Sequence, residues 1–292
     1  MNCKSIPIIK ENRLEKIIGA LKCFDIHKFD REKQVSCVLG LYDSTSKPKL
    51  AQDKNPKEKG IFRGMTITTL GKLGLIVSHG KTIEVSENGN LMIRSLEFGD
   101  HVRKITSCSV IVEIDEEIFH FLELIKQNGG EMGKVQKSLT KHSAGCNDRQ
   151  ISERFRRWLN ILKASSLVAV DGNKINLNLA LIDQLRQVKA SVIEMKREFR
   201  ETLLLSYSEL AATSNGIVEI EELRRVTSTK FLENYSLPIP RNTFDSLLVS
   251  SSNDLSDYLI TFGHSMGKGE KLLKIRNEYY RTIYIKAKGV QK

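Results

Sequence analysis

The chain has 292 residues, of which 40% are apolar and 28% are charged. This length allows two or three domains, and the apolar fraction is ordinary for domains with a buried core. Its 46 lysines and arginines outnumber its 35 aspartates and glutamates, so the formal net charge is +11. Such a surplus favours polyanionic partners, with nucleic acid first among them, although it also serves ribosome association or simple solubility.

The five cysteines are dispersed along the chain, and none belongs to a CxxC pair. This spacing argues against a disulfide framework and a structural zinc site, and it predicts reduced, mostly buried thiols. No apolar run approaches the roughly 20 residues that a membrane helix requires. Charged residues also interrupt the N-terminal region where a signal peptide would have its apolar segment. We therefore predict a cytoplasmic protein without a membrane partner.

Residues 1–13 are predicted to form a basic N-terminal arm, which is polar and is broken by Pro7. Flexible basic arms can reach into a DNA groove. The candidate contacts in this arm are Lys4, Lys10, Asn12 and Arg13. A disordered leader is an equally good interpretation of the same composition.

A capped, strongly basic helix is predicted to begin near residue 55. Asn55, Pro56 and Glu58 have the spacing of an N-cap, a first helical residue and a capping-box acid. The first turns of this helix carry several cations, namely Lys54, Lys57, Lys59 and Arg63. A helix with such a basic N-terminal end is typical of proteins that enter the DNA major groove. A capped surface helix whose lysines serve only solubility is the alternative.

A hairpin follows this helix and completes a predicted winged-helix subdomain over residues 14–110. Leu73-Gly74 ends the helix, strands are predicted over 75–77 and 82–85, and the turn between them contains Lys81. A cationic wing tip such as Lys81 suits a phosphate contact, which positions a protein without reading sequence. The elements predicted ahead of this helix are helices over 13–24 and 30–42.

A second winged-helix-like subdomain is predicted for residues 111–185, after a boundary near 100–112 where apolar and polar residues alternate weakly. Its predicted elements are helices over 118–125, 132–141 and 147–162, followed by strands over 167–170 and 175–177. The long third helix starts with Asn147 as N-cap, and Gln150 has the position that answers it in a capping box.

The polar face of this long helix supplies the second set of candidate DNA contacts. Arginine, asparagine and glutamine near the start of such a helix can make bidentate contacts with guanine and adenine edges. The candidates are Asn147, Asp148, Arg149, Gln150 and Arg154, with Lys174 at the wing tip. The alternative is a solvated charged face with i,i+4 pairs such as Glu153 with Arg157.

Residues 186–292 are predicted to contain a helical linker and a third winged-helix-like subdomain. Residues 179–212 indicate one or two long helices, 244–259 a mostly helical segment, and 272–288 a basic hairpin. The predicted fold class is therefore mainly α with small β-hairpins (α+β), in which tandem winged-helix subdomains are joined by a helical connecting region.

No catalytic motif is found in the chain. It has no GxGxxG after a strand, no phosphate loop, no HExxH and no GxSxG. The six histidines lie far apart, without metal-ligand spacing. We therefore predict no catalytic residue, no metal ligand, and no cofactor for nucleic-acid binding.

Two blocks of the chain resemble a known family. Residues 60–63, 73–76 and 83–89 resemble the first winged-helix subdomain of FokI-like type IIS restriction endonucleases, and residues 148–170 with the turn at Asp171-Gly172 resemble their second one. The resemblance covers most of residues 1–180 and is carried by spaced apolar and glycine positions.

This resemblance implies a prokaryotic, sequence-specific recognition domain for double-stranded DNA. Such a domain reads a short asymmetric site in the major groove through helix-turn-helix motifs and the arm, and it binds as a monomer. By position, the base-reading candidates are Lys54, Lys57, Lys59, Arg63, Asn147, Asp148, Arg149 and Gln150. The nuclease centre is expected on a separate domain outside this chain, and Mg²⁺ is expected only there. A winged-helix transcription regulator and a winged-helix protein-interaction scaffold are the alternatives.

Overall fold

The computed structural model describes residues 6–42, 58–79, 82–115, 117–142, 146–255, 257–265 and 272–288. For Glu58, Lys59, His79 and His142 it describes the backbone alone. The chain is mainly helical with small antiparallel sheets, as the sequence predicts. It divides into two compact units, Met1–Leu185 and Arg186–Lys292, which we call unit 1 and unit 2. Within the described ranges, no helix combines the length and the apolar character needed to cross a membrane.

The first half of unit 1 places helices ahead of a hairpin. Its elements are α1 (Leu14–Ile26), α2 (Arg31–Gly40), a π-helix (Glu58–Ile67) that continues as α3 (Thr68–Lys72), β1 (Ile76–His79) and β2 (Thr82–Val85). The strands pair antiparallel, with Ile76 opposite Val85. The predicted second strand and the helix end before Gly74, which has a φ of 65°, are confirmed. The predicted cap at Asn55 lies outside the described residues.

The middle of unit 1 is a buried helix where the sequence predicted a boundary. The elements here are α4 (Glu87–Arg94), a 3-10 helix (Ser95–Phe98) and α5 (Gly99–Val112). The last two turns of α5, from Ile105 to Val112, are buried throughout. A helix that is covered on all sides shows no amphipathic period, which is why residues 100–112 had the pattern of a weakly alternating linker.

The second half of unit 1 contains three helices, a hairpin and a final helix. These are α6 (Ile118–Gln127), α7 (Met132–His142), α8 (Asp148–Ala164), β3 (Val168–Asp171), β4 (Lys174–Leu177) and α9 (Leu179–Glu194), within which the division between the units falls. In the hairpin Asp171 lies opposite Lys174. Glu131, just ahead of α7, forms a β-bridge with Lys174, so β4 has a neighbour on both sides.

Gly130 allows this close approach of the α6–α7 connection to β4. Its φ is 76°, and the Ile175 N–H donates to its carbonyl oxygen at 2.8 Å. A Cβ atom at Gly130 would overlap the Ile175 carbonyl oxygen. Glycine meets both requirements because it lacks a Cβ atom and tolerates positive φ.

Unit 2 packs three helices against a small sheet. Its elements after α9 are α10 (Lys196–Ala211), β5 (Val218–Glu219), α11 (Ile220–Tyr235), α12 (Arg241–Asp254), β6 (Tyr258–His264), β7 (Leu273–Ile275) and β8 (Glu278–Ala287). The strand order is β5-β8-β6, and β7 also pairs with β8. The predicted hairpin at 272–288 is confirmed. The predicted helical segment 244–259 is wrong at its end, because Tyr258 already belongs to β6.

A disulfide bond corrects the prediction of reduced thiols. Cys23 on α1 is bonded to Cys37 on α2, with their Cα atoms 5.6 Å apart. Cys146 is also disulfide-bonded, whereas the buried Cys108 is a free thiol. Spacing rules detect cysteines that are close in sequence. The two joined by α1–α2 packing are 14 residues apart and gave no such signal.

Candidate nucleic-acid interface

Helix α8 is held in unit 1 by an aromatic cluster on one face. The Trp158 ring lies 4.9 Å from the Phe121 ring, and the Phe155 ring lies 5.7 Å from Phe121. The Trp158 indole N–H donates to Asp115 at 2.8 Å. Trp158 is fully buried, and its neighbours Ile151 and Leu162 on this face are also buried. The amphipathic pattern that predicted this helix is therefore confirmed, and its opposite face is fixed in position.

The capping box predicted at the start of α8 is present. The Gln150 N–H donates to the Asn147 side-chain oxygen at 2.9 Å, and the Asn147 N–H donates to the Gln150 side-chain oxygen at 2.9 Å. Each amide oxygen thus already accepts one hydrogen bond and keeps one further lone pair, and both NH₂ groups remain for a ligand. A bidentate contact with adenine needs a donor and an acceptor from the same amide. Asn147 and Gln150 can accordingly donate to guanine, thymine or phosphate oxygens while the cap is intact, and a bidentate contact with adenine would use the second lone pair of the amide oxygen.

Arg149 is a highly accessible candidate base reader. Its side chain is 90% exposed and forms a 3.4 Å ion pair with Glu153 one turn later. Such an exposed pair contributes little stability, so a ligand can replace it at low cost. Asp148, beside it, is exposed as well. The exposed Arg156 lies seven residues further along the same helix, and i,i+7 spacing places it on the face of Arg149.

The structure corrects the prediction that Arg154 contacts DNA, because this side chain is buried inside unit 1. Its side chain is 6% exposed and forms an ion pair with Glu117. Its guanidinium also lies 4.6 Å from the centre of the Trp158 ring. A buried charge that loses its partner is strongly destabilising. Arg154 therefore holds α8 to the start of α6, and sequence alone did not separate it from the exposed arginines around it.

The described part of the arm, residues 6–13, is packed against unit 1. Ile6 and Ile9 are buried. The Arg157 guanidinium donates to the Ile6 carbonyl at 2.9 Å, and the Lys10 N–H donates to the Thr69 hydroxyl at 3.0 Å. These contacts differ from the predicted flexible arm. The exposed Lys10 side chain can still meet a ligand, whereas Lys4 lies outside the described residues.

The side chains of Arg13 and Asn12 form contacts with other residues of the protein. The Arg13 guanidinium forms an ion pair with the buried Glu11 at 2.9 Å, and the Asn12 side chain donates to Asn160 at 3.4 Å. Burial alone would raise the pKa of Glu11, but hydrogen bonds from the Arg13 side chain and backbone hold the pKa of that carboxyl below its usual value. Arg13 is half-exposed, yet its charge is already matched. Both residues are therefore better explained as anchors of the arm than as DNA contacts.

The wing-tip and first-half candidates are only partly described. Lys174 is exposed at the end of β4. Arg63 is exposed on the π-helix, next to Phe62, whose ring lies 5.1 Å from the Arg31 guanidinium. Lys54, Lys57, Lys81 and the side chain of Lys59 lie outside the described residues. Besides Lys10 of the arm, the first half of unit 1 therefore contributes Arg63 to the described interface.

Sequence reasoning missed two lysines on α7. Lys137 and Lys141 are exposed, one turn apart, on the side away from the buried Val135 and Leu139. The signal was present as i,i+4 lysines on an amphipathic helix. These two lysines join Arg149, Arg156 and Lys174 as exposed cations of unit 1.

Comparison with known proteins gives no relative: no family model, no curated protein and no solved structure matches this chain. Among the described residues, no three histidine, cysteine, aspartate or glutamate side chains are grouped to hold a metal ion.

Proposed function

We propose that unit 1 is a sequence-specific recognition module for double-stranded DNA, of the kind found in type IIS restriction endonucleases. The observation that carries the proposal is the exposure of Arg149 at the start of α8, a helix whose other face is fixed by buried Trp158. A helix so held presents its N-terminal side chains in a defined position, which is what reading base edges in the major groove requires.

The order of elements supports a winged helix in the second half of unit 1. Helix α6, the bridging residue Glu131, helices α7 and α8, and the hairpin β3–β4 follow one another as in that fold. We assign α8 as the recognition helix and the β3–β4 turn as the wing. The first half offers helices α1 and α2, the π-helix with α3, and the hairpin β1–β2 in a similar order.

Unit 2 has the same order in its own elements. Helix α10, strand β5, helices α11 and α12, and strands β6 and β8 follow in sequence, with β5 and β6 on opposite sides of β8. We include it as a third winged helix. Several of its cations are matched by acids on its own surface, as in the pairs Arg225–Glu222 and Arg281–Glu219. We therefore assign DNA contacts to unit 1.

The chemistry of the interface divides between reading and positioning. The Arg149 guanidinium can donate two parallel hydrogen bonds to a guanine edge, a contact worth about 1–3 kcal/mol of discrimination. Lys174 and the α7 lysines supply charge to phosphates, which fixes register without reading sequence. DNA cleavage and its Mg²⁺ belong, in this proposal, to a nuclease centre on a separate domain, so binding needs no metal.

Selection of duplexes from a random library tests this function. We expect the purified chain to enrich one short asymmetric motif in buffer containing EDTA, and its affinity to fall steeply with salt as counterions are released. A palindromic motif would favour the transcription regulator instead. Absence of any enriched motif, together with salt-independent binding to a protein partner, would refute DNA recognition and favour the interaction scaffold.

A further inference from the structure

Strand β6 of unit 2 is an edge strand without protective charged or proline residues, and its register with β8 is regular up to a shift between Gly263 and His264. Within the described residues it pairs with β8 on one side only. Its residues 258–264 include no lysine, arginine, aspartate, glutamate or proline. Natural edge strands are normally blunted by such residues, because an open edge is a template for pairing with another chain. Strand β6 has an alternation of exposed and half-exposed residues and none that is fully buried.

The open edge presents the backbone groups of alternate residues. The Lys288 N–H donates to the Asp257 carbonyl at 2.8 Å, which sets the phase of the β6–β8 ladder. Because these groups alternate in direction along a strand, the backbone N–H and C=O groups of Ile260 and Phe262 then point away from β8. The Ile285 N–H, opposite Ile260, accordingly donates to the Tyr207 hydroxyl rather than to β6. Within the described residues, the backbone N–H and C=O groups of both residues therefore face the open edge of the sheet.

The side chains along this edge are also incompletely covered. Ile260 and Phe262 pack against the core of unit 2 but remain partly exposed. On the outer face, Leu259 is 52% exposed. A partner strand would cover the inner pair and extend the hydrogen-bonded ladder at the same time.

The sequence of β6 is complementary to itself in an antiparallel register. With Thr261 opposite Thr261 of a second copy, Ile260 lies opposite Phe262, and each such pair exchanges both backbone hydrogen bonds. In the same register Leu259 lies opposite Gly263, so the largest outer side chain meets the smallest. A Cβ atom at Gly263 would overlap the Thr282 hydroxyl, so a larger residue there would require Thr282 to change rotamer.

The polar side chains at the two ends of the strand also fit this register. The N-terminal end is acidic, with exposed Asp254 and Asp257, and the C-terminal end carries the exposed His264. Antiparallel pairing brings the acidic end of one copy to the histidine end of the other. The strand between the ends is uncharged, so no like charges lie opposite one another despite the net charge of +11.

We infer that β6 is a self-association edge, through which two copies of this chain join their unit 2 sheets about a two-fold axis at Thr261. The interface is isologous, as two-fold dimers require. Because a single strand edge buries little surface, we expect a concentration-dependent equilibrium rather than a permanent dimer. The inference does not rest on the proposed DNA function, since it uses residues of unit 2 only.

A charge-swap experiment at the axis tests this arrangement. Thr261 is exposed, so Thr261→Lys and Thr261→Glu leave the core untouched, but each places two like charges directly opposite one another. We expect each variant alone to self-associate about fivefold more weakly than the wild type in sedimentation equilibrium. An equal mixture of the two should regain or exceed wild-type association. Ser246→Lys, a similar change at an exposed position of α12, should have no effect.

Amide hydrogen exchange provides the second measurement. In the wild type, exchange at Ile260 and Phe262 should slow as protein concentration rises, and in Thr261→Lys it should not. A wild type that stays monomeric at all concentrations would overturn the inference. So would a dimer that is indifferent to charge at Thr261, or an edge protected only when an unrelated extended peptide is added. DNA binding by unit 1 is unaffected by either result.

Discussion

The Arg157 guanidinium on α8 donates a hydrogen bond to the Ile6 carbonyl at 2.9 Å, across 151 residues of sequence. The same side chain forms an ion pair with Glu153 at 3.1 Å. One arginine thus ties the arm to the helix that we propose reads DNA. The preceding residue, Arg156, is exposed and lies on the face of Arg149, so we assign different roles to the two arginines.

Replacing these neighbours by methionine separates the roles. Arg157→Met removes a charged hydrogen bond to a backbone carbonyl, and we expect the free energy of unfolding to fall by about 1–3 kcal/mol. Arg156→Met should change it by less than about 0.5 kcal/mol and should weaken DNA binding instead. Urea unfolding and a duplex titration measure the two effects. Equal stability of both variants would contradict the anchoring role of Arg157.

Arg149 is expected to discriminate between sequences. Arg149→Ala should cost about 1–3 kcal/mol of binding to the selected duplex, with little change on a scrambled one. Arg149→Lys should recover only part of the loss, because lysine keeps the charge but lacks the planar fork. Arg197→Ala is a matched control, since Arg197 is 82% exposed and has the same i,i+4 pairing with Glu201. Equal losses on both duplexes would make Arg149 a phosphate contact.

Lys174 is expected to act on all duplexes alike. Lys174→Ala should weaken selected and scrambled sequences equally and reduce the salt slope by about one unit, as loss of one phosphate contact does. Lys81, which lies outside the described residues, is predicted to behave in the same way. Lys196→Ala, an exposed lysine of unit 2, serves as control. A loss confined to the selected sequence would mean that this wing reads bases.

The anchoring of the arm should depend on pH through Glu11. Because the folded protein lowers the pKa of Glu11 below its ordinary value of 4.5, the carboxylate stabilises the fold fully above that pH. This contribution is lost as the pH falls through the lower folded pKa. We expect the stability difference between the wild type and Glu11→Gln to be largest near neutral pH and to shrink in acid. A difference that grew on acidification would contradict the assignment.

The Cys23–Cys37 bond should stabilise unit 1 by restricting the unfolded chain. For a separation of 14 residues, loss of the cross-link is expected to cost about 3 kcal/mol. Urea unfolding of a Cys23→Ala/Cys37→Ala double variant measures this. Cys108→Ala alters a buried thiol without breaking a bond, and its stability should still respond to a reducing agent. A double variant as stable as the wild type would show that the bond contributes nothing.

Local patterns predicted much of the fold. The α8 cap, its apolar face and the hairpin at 168–177 were readable because each depends on residues close in sequence. What failed depended on distant contacts. The burial of Arg154 against Glu117, the packing of Ile6, and the Cys23–Cys37 bond all arise from elements brought together by folding. Whether an arginine on a helix is exposed or buried depends on such neighbours from distant parts of the sequence.

The backbone contact at Gly130 also provides a criterion for ancestry. Any chain that shares this contact between the α6–α7 connection and strand β4 must keep a glycine there, because the Ile175 carbonyl oxygen occupies the space that a Cβ atom would fill. A search for distant relatives should therefore look for a glycine just ahead of α7 together with an apolar residue in β4, rather than for overall similarity.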